Sequence, residues 1–526
     1  MNLSFLHQKK RGPAITLLLM VLAFVAGPAT PTAAQAATAP EPDVPGGFKS
    51  QNIRVSLASP TPDARIHYTL DGSPPVPGVS PEYSQPLDLG PTSGRGAVTL
   101  RAIAVSDGGP PSDVATHTYL FPEGILNQSS TPAGFPAAWV DSRGRSTVTA
   151  DYEMDPNVVE DPNYATMALE ALTSIPTVSL VTDIAGLFDR RTGIYSNPEQ
   201  YGELWERPTS VEFLYPQEGR RVHLNAGLRI QGGTSRIPDK AHKHSLRLLF
   251  KSEYGASRLD GQFFPDSPVE RFDTLVLDAG LNLVWIHPEE AQRNAGQYVR
   301  DQVVADWQNA MGHPAPHGRW FHVYLNGLYW GLFGVHERPD DQFAASYLGG
   351  AKEEWDIVKN TTGFEVVAGT RTEWDALLTR VAATGTDAAS LANLETVLDL
   401  TAFADYLLLN FYAGNTDWPH HNWYAGRRRV PGAQWRFFSW DAEHVFKNLQ
   451  DNRTTANEPA TPGGIWNVLR RNPEFRQLFA DRVPIVSEGK WGPAEAFASD
   501  RILIRHGAEY KPPSVDSDQA PAASRP

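Results

Sequence analysis

A chain of 526 residues has room for about two to four domains. Its 60 acids against 46 bases give a formal net charge of −14, which argues against a nucleic-acid binder, because that role needs a basic footprint. It holds no cysteine, so disulfides, thiolate zinc sites and cysteine nucleophiles are excluded.

The N-terminus carries the pattern of a secretory signal peptide over residues 1–36. Lys9, Lys10 and Arg11 precede an apolar run from Ile15 to Gly27, and Ala34-Gln35-Ala36 has the form of a cleavage site. The run is short for a bilayer span, so the mature chain is expected to be secreted or cell-surface with no stable membrane span; an uncleaved anchor is the rival. Residues 37–47 are rich in Ala and Pro and read as a linker.

From Phe48 to Phe121 the pattern changes to short strands broken by turns. Ile53 to Leu57 alternates, Ile66 to Leu70 runs into the turn cluster Asp71-Gly72-Ser73-Pro74-Pro75, and Val98 to Val105 and Ala115 to Leu120 complete the set. A small all-β sandwich is expected over 48–121. Three of its pieces, Ile66 to Pro75, Ser80 to Tyr83 and Thr116 to Tyr119, resemble the Ig-like module at the C-terminal end of chitobiases and related hexosaminidases. The resemblance implies a spacer or a carbohydrate-associated module without an active site.

Longer apolar strands follow. Thr177 to Val181 is one, and Asp183 to Thr192 reads as a connecting loop. Leu224 to Ile230, the glycine turn Gln231 to Arg236, and His244 to Phe250 form a strand–turn–strand unit with Lys243 just before the second strand. This is how kinases cover phosphates and pair them with a cation; a solvated surface lysine is the alternative for Lys243. Val299, Val303, Trp307 and Met311 recur at i+4 on a helix stopped by Gly312. Asp301 on that helix reads first as solvent-facing, with pairing to Lys243 as the alternative. Asn326-Gly327 between two apolar runs is a hairpin signal, and a hinge-like stretch, His336 to Asp340, comes directly after it. Helices are expected around Trp374 to Val381 and Phe403 to Phe411.

After Gly414 comes Asn415-Thr416-Asp417-Trp418-Pro419-His420-His421-Asn422. Asp417 and Asn422 have the D-x-x-x-x-N spacing of a kinase catalytic loop, where the Asp takes a hydroxyl proton and the Asn holds a metal ion. A hairpin with a basic turn, Arg427-Arg428-Arg429, read as solvated, leads to Phe437-Phe438-Ser439-Trp440-Asp441. Asp441 supplies a second carboxylate at the end of an apolar run. Residues 452–463 read as polar and mobile, and 511–526 as a disordered tail.

In these residues and their order the chain resembles the spore-coat CotH kinase family. The matching segments are Ala150 to Asp155, Gly227 to Phe250, Tyr298 to Asp301, Tyr324 to Asp340, Asn415 to Tyr424 and Phe438 to Asp441. The resemblance implies an α+β fold, with an atypical protein-kinase-like two-lobe domain over 125–510 behind the all-β module. It also implies transfer of the ATP γ-phosphate to Ser or Thr of protein substrates with Mg²⁺. By position it makes Asp417 the catalytic Asp, Asn422 and Asp441 the metal ligands, and Lys243 the phosphate-binding lysine; Gly232 and Gly233 would bring backbone amides to the phosphates. Glu337 matches a family position without an assigned role. Two rivals stand beside this reading. One is a non-catalytic surface scaffold that meets glycans through the Ig-like module. The other is a metal-dependent hydrolase built on Asp417, His420 and His421, disfavoured because adjacent side chains diverge on most backbones.

Overall fold

The computed structural model describes residues 35–91, 94–140, 147–361 and 363–487. The expected leader, apart from its last two residues, and the expected tail lie outside them. No helix among the described residues is long and apolar enough to cross a membrane.

The N-terminal region is all-β. A four-stranded sheet runs in the order Gly47–Phe48, Ala115–Leu120, Ala97–Val105, Arg65–Thr69. The ribbons Ile53–Val55 with Leu87–Leu89, and Glu41–Pro42 with Leu57–Ala58, complete it. Val55, Leu57, Leu89, Leu100 and Tyr119 share one core. The stretch 37–47 is therefore more than a linker: Glu41 and Pro42 pair with Ala58 and Leu57, and Ala37 is buried.

Behind it, seven strands close into a barrel. They are β1 (Thr177–Thr182), β2 (Arg207–Tyr215), β3 (Arg220–Ile230), β4 (Leu246–Leu249), β5 (Thr274–Asp278), β6 (Gly318–Leu325) and β7 (Leu328–His336), in the order β1-β2-β3-β4-β5-β7-β6. The barrel is closed by parallel pairing of β1 with β6. The β6–β7 hairpin turns on Asn326 and Gly327, both at positive φ (47° and 79°), as a two-residue type I′ turn requires. The Asn326 side chain also exchanges two 2.8 Å hydrogen bonds with the backbone of Thr182, which ties the hairpin to the end of β1. Val178, Leu180, Phe213, Leu228, Leu248, Phe321 and Trp330 fill the interior, and Tyr152 from the preceding segment packs its ring against Trp330.

Strands β2 and β5 escape the sequence pattern because barrel strands covered on both faces show no clean alternation. In β2 the last seven residues are all buried. Pro208 is tolerated there because pairing with β1 begins only at Thr209, so its missing N–H leaves no gap on that side. The expected loop 183–192 contains a short helix, α1 (Ile184–Phe188), because Asp183 caps the amide of Ala185 at 3.0 Å.

The C-terminal region combines a four-stranded antiparallel sheet with helices. The strands are β8 (Trp355–Asn360), β9 (Phe364–Ala368), β10 (Trp423–Arg428) and β11 (Arg436–Ser439), in the order β9-β8-β10-β11. Helix α2 (Arg300–Ala310) joins from the segment between β5 and β6. Then come α3 (Thr372–Ala383), α4 (Leu400–Tyr412) and α5 (Pro462–Leu469). Trp374, Trp418, Trp423 and Trp435 are fully buried in their shared core. The basic turn stays partly exposed, but its arginines are ion-paired rather than simply solvated. Arg428 pairs with Glu354 at 2.7 Å and Arg429 with the buried Asp356 at 2.8 Å, which locks the hairpin to β8. Residues 452–463 are likewise held: Trp466 donates to the Thr454 carbonyl at 2.8 Å, Arg453 to the Trp418 carbonyl, and Thr461 caps α5.

The two N-terminal units meet through a buried polar knot. Glu212 of β2 accepts from the Thr118 amide (2.8 Å) and hydroxyl (2.6 Å) and from Arg221 Nε (2.8 Å), while Thr118 Oγ1 reaches Ser179 at 2.8 Å. Removing one partner of a buried ion pair strands the others, at a cost of about 3 kcal/mol. Glu212→Ala is expected to lower stability by about that much, read as a shift in the urea unfolding midpoint. An unchanged midpoint would show that the knot is dispensable.

Candidate active site

The catalytic-loop candidate follows α4, whose helix ends by Gly414 at φ 59°. The loop is pinned at several points. Asn415 bonds Asn410 through backbone and side chain, the Thr416 amide reaches the His444 carbonyl at 3.1 Å, and the buried Trp418 donates to Tyr406 Oη at 3.0 Å. Asn422 then sits at φ 60°, a backbone region that Asn tolerates better than most residues. Its amide nitrogen donates to Asp417 Oδ2 at 2.8 Å and to the Asp441 carbonyl at 3.2 Å, which leaves its oxygen as the atom able to take a cation.

Asp441 follows β11, also at positive φ (55°). Helix α2 sets its place. Gln308 accepts from the Ser439 amide (2.8 Å) and hydroxyl (2.6 Å) and donates to the Phe437 carbonyl at 2.7 Å, and Asp301 Oδ1 accepts from the Ala442 amide at 2.6 Å. Asp301 is therefore neither solvent-facing nor paired with Lys243; it braces the Asp441 turn from the wall of the site.

Asp417, Asn422, Asp441, Asp301, Asp278 and Glu443 line one cleft of about 250 Å³ between barrel and C-terminal region. The opposite wall is the glycine turn, with Gly232 and Gly233. Gly232 lies at φ 108°, and a Cβ there would collide with Ser235 Oγ at 2.0 Å, so glycine is required. The buried Arg236 holds the turn by donating to the Gly232 carbonyl at 2.7 Å and the Gln200 carbonyl at 3.0 Å.

The structure does not bring Lys243 to this cleft. Lys243 precedes β4 in a bend, with Nζ 5.7 Å from the centre of the Trp330 ring, near Asp151 and Glu153. Among the described residues, the Lys or Arg that lines the cleft is Lys359 of β8, whose Nζ lies 3.0 Å from Glu365 and over the Tyr424 ring. Sequence reading missed it because β8 itself carries no alternation, and its partner Glu365 is met only through the sheet. Asp278 had a usable signal, a carboxylate ending an apolar run as Asp441 does. Glu337 takes a structural role: its Oε2 accepts from the His317 amide (2.9 Å) and Tyr347 Oη (2.8 Å), which fixes the stretch after β7.

Negative charge crowds the cleft. Burial, then the neighbouring Asp301, Asp278 and Asp417, push the Asp441 carboxyl well above its ordinary range. Burial and then Asp441 do the same to Glu443. Burial raises Asp301 too, against the opposing pull of His336 and the Ala442 amide. No described residue donates a hydrogen bond to the Asp441 carboxylate. Carboxylates and an amide oxygen make an all-oxygen donor set of the kind that suits a hard divalent cation, which Asp441 and Asn422 could hold.

A carboxyl raised on folding binds its proton longer in the folded than in the unfolded chain. Stability of the metal-free protein therefore falls as pH rises from the ordinary carboxylate range through the raised values. Asp441→Asn is expected to flatten that fall and to raise the melting temperature at neutral pH in chelator, while Mg²⁺ raises it in the unsubstituted chain. A lower melting temperature for Asp441→Asn under chelation would contradict this account of the cleft.

Comparison with known families agrees with the geometry. Residues 228–490, half of the chain, match the CotH kinase protein family, and residues 44–116 match the chitobiase/beta-hexosaminidase C-terminal domain. No curated protein matches the chain. The CotH match begins inside β3 and takes in the glycine turn, the catalytic-loop candidate and Asp441, whereas the other match falls within the all-β region. The chain belongs to the CotH kinase family, with a chitobiase/hexosaminidase C-terminal domain ahead of the kinase region.

Proposed function

We propose that this protein is an atypical kinase that transfers the γ-phosphate of ATP to a Ser or Thr hydroxyl of a protein substrate. The observation that carries the reading is the meeting of Asp417 and Asn422, 2.8 Å apart, with Asp441 across a cleft from a glycine turn. In a two-lobe reading the barrel is the upper lobe, the helical region the lower, and the cleft between them takes the nucleotide. A divalent ion, Mg²⁺ in this reading, would supply charge neutralisation at the phosphate oxygens when held by Asp441 and Asn422.

The remaining work falls to the protein's own groups. Asp417 accepts the substrate hydroxyl's proton, and the Asn422 amide fixes its orientation through Oδ2. Backbone amides of Gly232 and Gly233 face charge on the phosphates. Lys359, the cation of the cleft wall, replaces Lys243 as the group for a phosphate oxygen, exchanging its Glu365 partner for the ligand. Most of the rate enhancement then comes from positioning and electrostatics. The leader pattern of residues 1–36 supports export to the cell surface or beyond, and the N-terminal domain's family supports a carbohydrate-rich setting for the protein substrate.

Two measurements test this. Asp417→Ala is expected to abolish phosphate incorporation from labelled ATP while the chain stays folded, read by circular dichroism; full incorporation in that variant would remove the assignment. Lys359→Ala is expected to cut incorporation by at least about tenfold, the worth of one charge-assisted contact, whereas Lys243→Ala acts chiefly on stability. The reverse order would return the phosphate role to Lys243. Absence of Mg²⁺-dependent ATP binding in calorimetry would favour the non-catalytic scaffold.

A further inference from the structure

The catalytic-loop candidate has a second chemical face. Adjacent histidines diverge on an extended strand, but residues 416–420 are in turns, and here the rings of His420 and His421 fold together with centres 4.5 Å apart. His420 Nε2 and His421 Nδ1 each lie 3.4 Å from the same atom, Asp417 Oδ1. The three ligand atoms all lie within 4.8 Å of one another. With metal–ligand distances of about 2.0 Å, the edge of a tetrahedron around zinc is about 3.3 Å, so two of the three edges are already set. As hydrogen bonds, contacts of 3.4 Å would be long. Among the described residues neither imidazole has a polar partner other than Asp417.

The Asp417 carboxylate is thus shared between two environments. Oδ2 faces Asn422 and the all-oxygen donors around Asp441. Oδ1 faces two imidazoles, which suit zinc, copper or nickel rather than magnesium. All three side chains are partly open to solvent, with 31–43% of their surface exposed, which leaves a path for an ion and room for water as a further ligand.

The geometry points to Asp417, His420 and His421 as a transition-metal site of the zinc class, separate from the Asp441–Asn422 pair, which inhibits the protein by occupying the carboxylate of Asp417. The metal site stands on geometry alone; the inhibition rests on Asp417 being the proton acceptor proposed above.

The test is a calorimetric titration of Zn²⁺ into the metal-free full chain in excess Mg²⁺, with Co²⁺ absorption as a second readout of a histidine-bound ion. One equivalent of Zn²⁺ is expected. His420→Ala and His421→Ala should each weaken it at least about tenfold, since even outer-shell partners are worth that much, while Asp441→Asn keeps it. Melting curves in chelator should be unchanged for both histidine variants, whose side chains are half exposed. No zinc uptake, undiminished uptake in both histidine variants, or equal loss in Asp441→Asn would overturn the site. Zinc should also suppress phosphate incorporation in the unsubstituted chain and much less in His420→Ala. Zinc binding without any incorporation from ATP in zinc-free buffer would leave the metal site standing and overturn the inhibition together with the kinase reading. Stimulation by zinc would overturn the inhibition alone.

Discussion

Asp278, Asp301, Asp441 and Glu443 share one cleft, where burial and then the neighbouring carboxylates disfavour the ionised forms of Asp441 and Glu443. Left to themselves, such groups would move apart or into water. What keeps them together is a set of neutral and backbone bonds that carry no opposing charge. Gln308 clamps the end of β11, the Ala442 amide holds Asp301, Ser245 Oγ donates to Asp278 at 2.6 Å, and Asn282 holds Glu443. The cost of this crowding is spread over the barrel, α2 and the C-terminal sheet. The result is a cleft rich in carboxyl groups, the kind of oxygen-donor surrounding that a divalent cation favours.

That arrangement explains why the site is assembled from distant pieces. The glycine turn belongs to the barrel, Asp301 to a helix between two barrel strands, and Asp417, Asn422 and Asp441 to the C-terminal region. Positive φ at both Asn422 and Asp441 shows where the backbone departs from regular geometry to turn the two side chains to a common point. The rigid surroundings make this tolerable: Trp418 on the loop and Trp423 at the start of β10 are fully buried. The all-β region joins through Glu212 and Thr118, on the outer side of β1 and β2, and lines no part of this cleft.

The hairpin at Asn326-Gly327, helices α2 to α4, β10, β11 and most strands of the all-β region were legible in the sequence. In each case a local signal, a turn pair or an i+4 repeat, coincides with the final packing. Asp417, Asn422, Asp441, Gly232 and Gly233, which the structure gathers around one cleft, were legible as candidates from spacing and order. Lys243 was read from its place before a strand, but the bend there turns it to Trp330. The arginine turn was read as solvated because nothing local announces Glu354 or Asp356, which meet it only across β8 and β10. The divergence expected of His420 and His421 holds for extended backbone and fails in a turn.

The amino-acid sequence by itself determined the order of the chemistry: an all-β region first, then a glycine turn, then D-x-x-x-x-N, then an acid ending a strand. It could do so because turn chemistry, helical period and motif spacing are local properties. Only the tertiary structure decided which cation faces the cleft, that Asp301, Asp278 and Glu443 belong to it, and that two histidines converge on Asp417. Those outcomes depend on contacts between segments more than a hundred residues apart and on backbone turns whose direction is set by what packs beneath them.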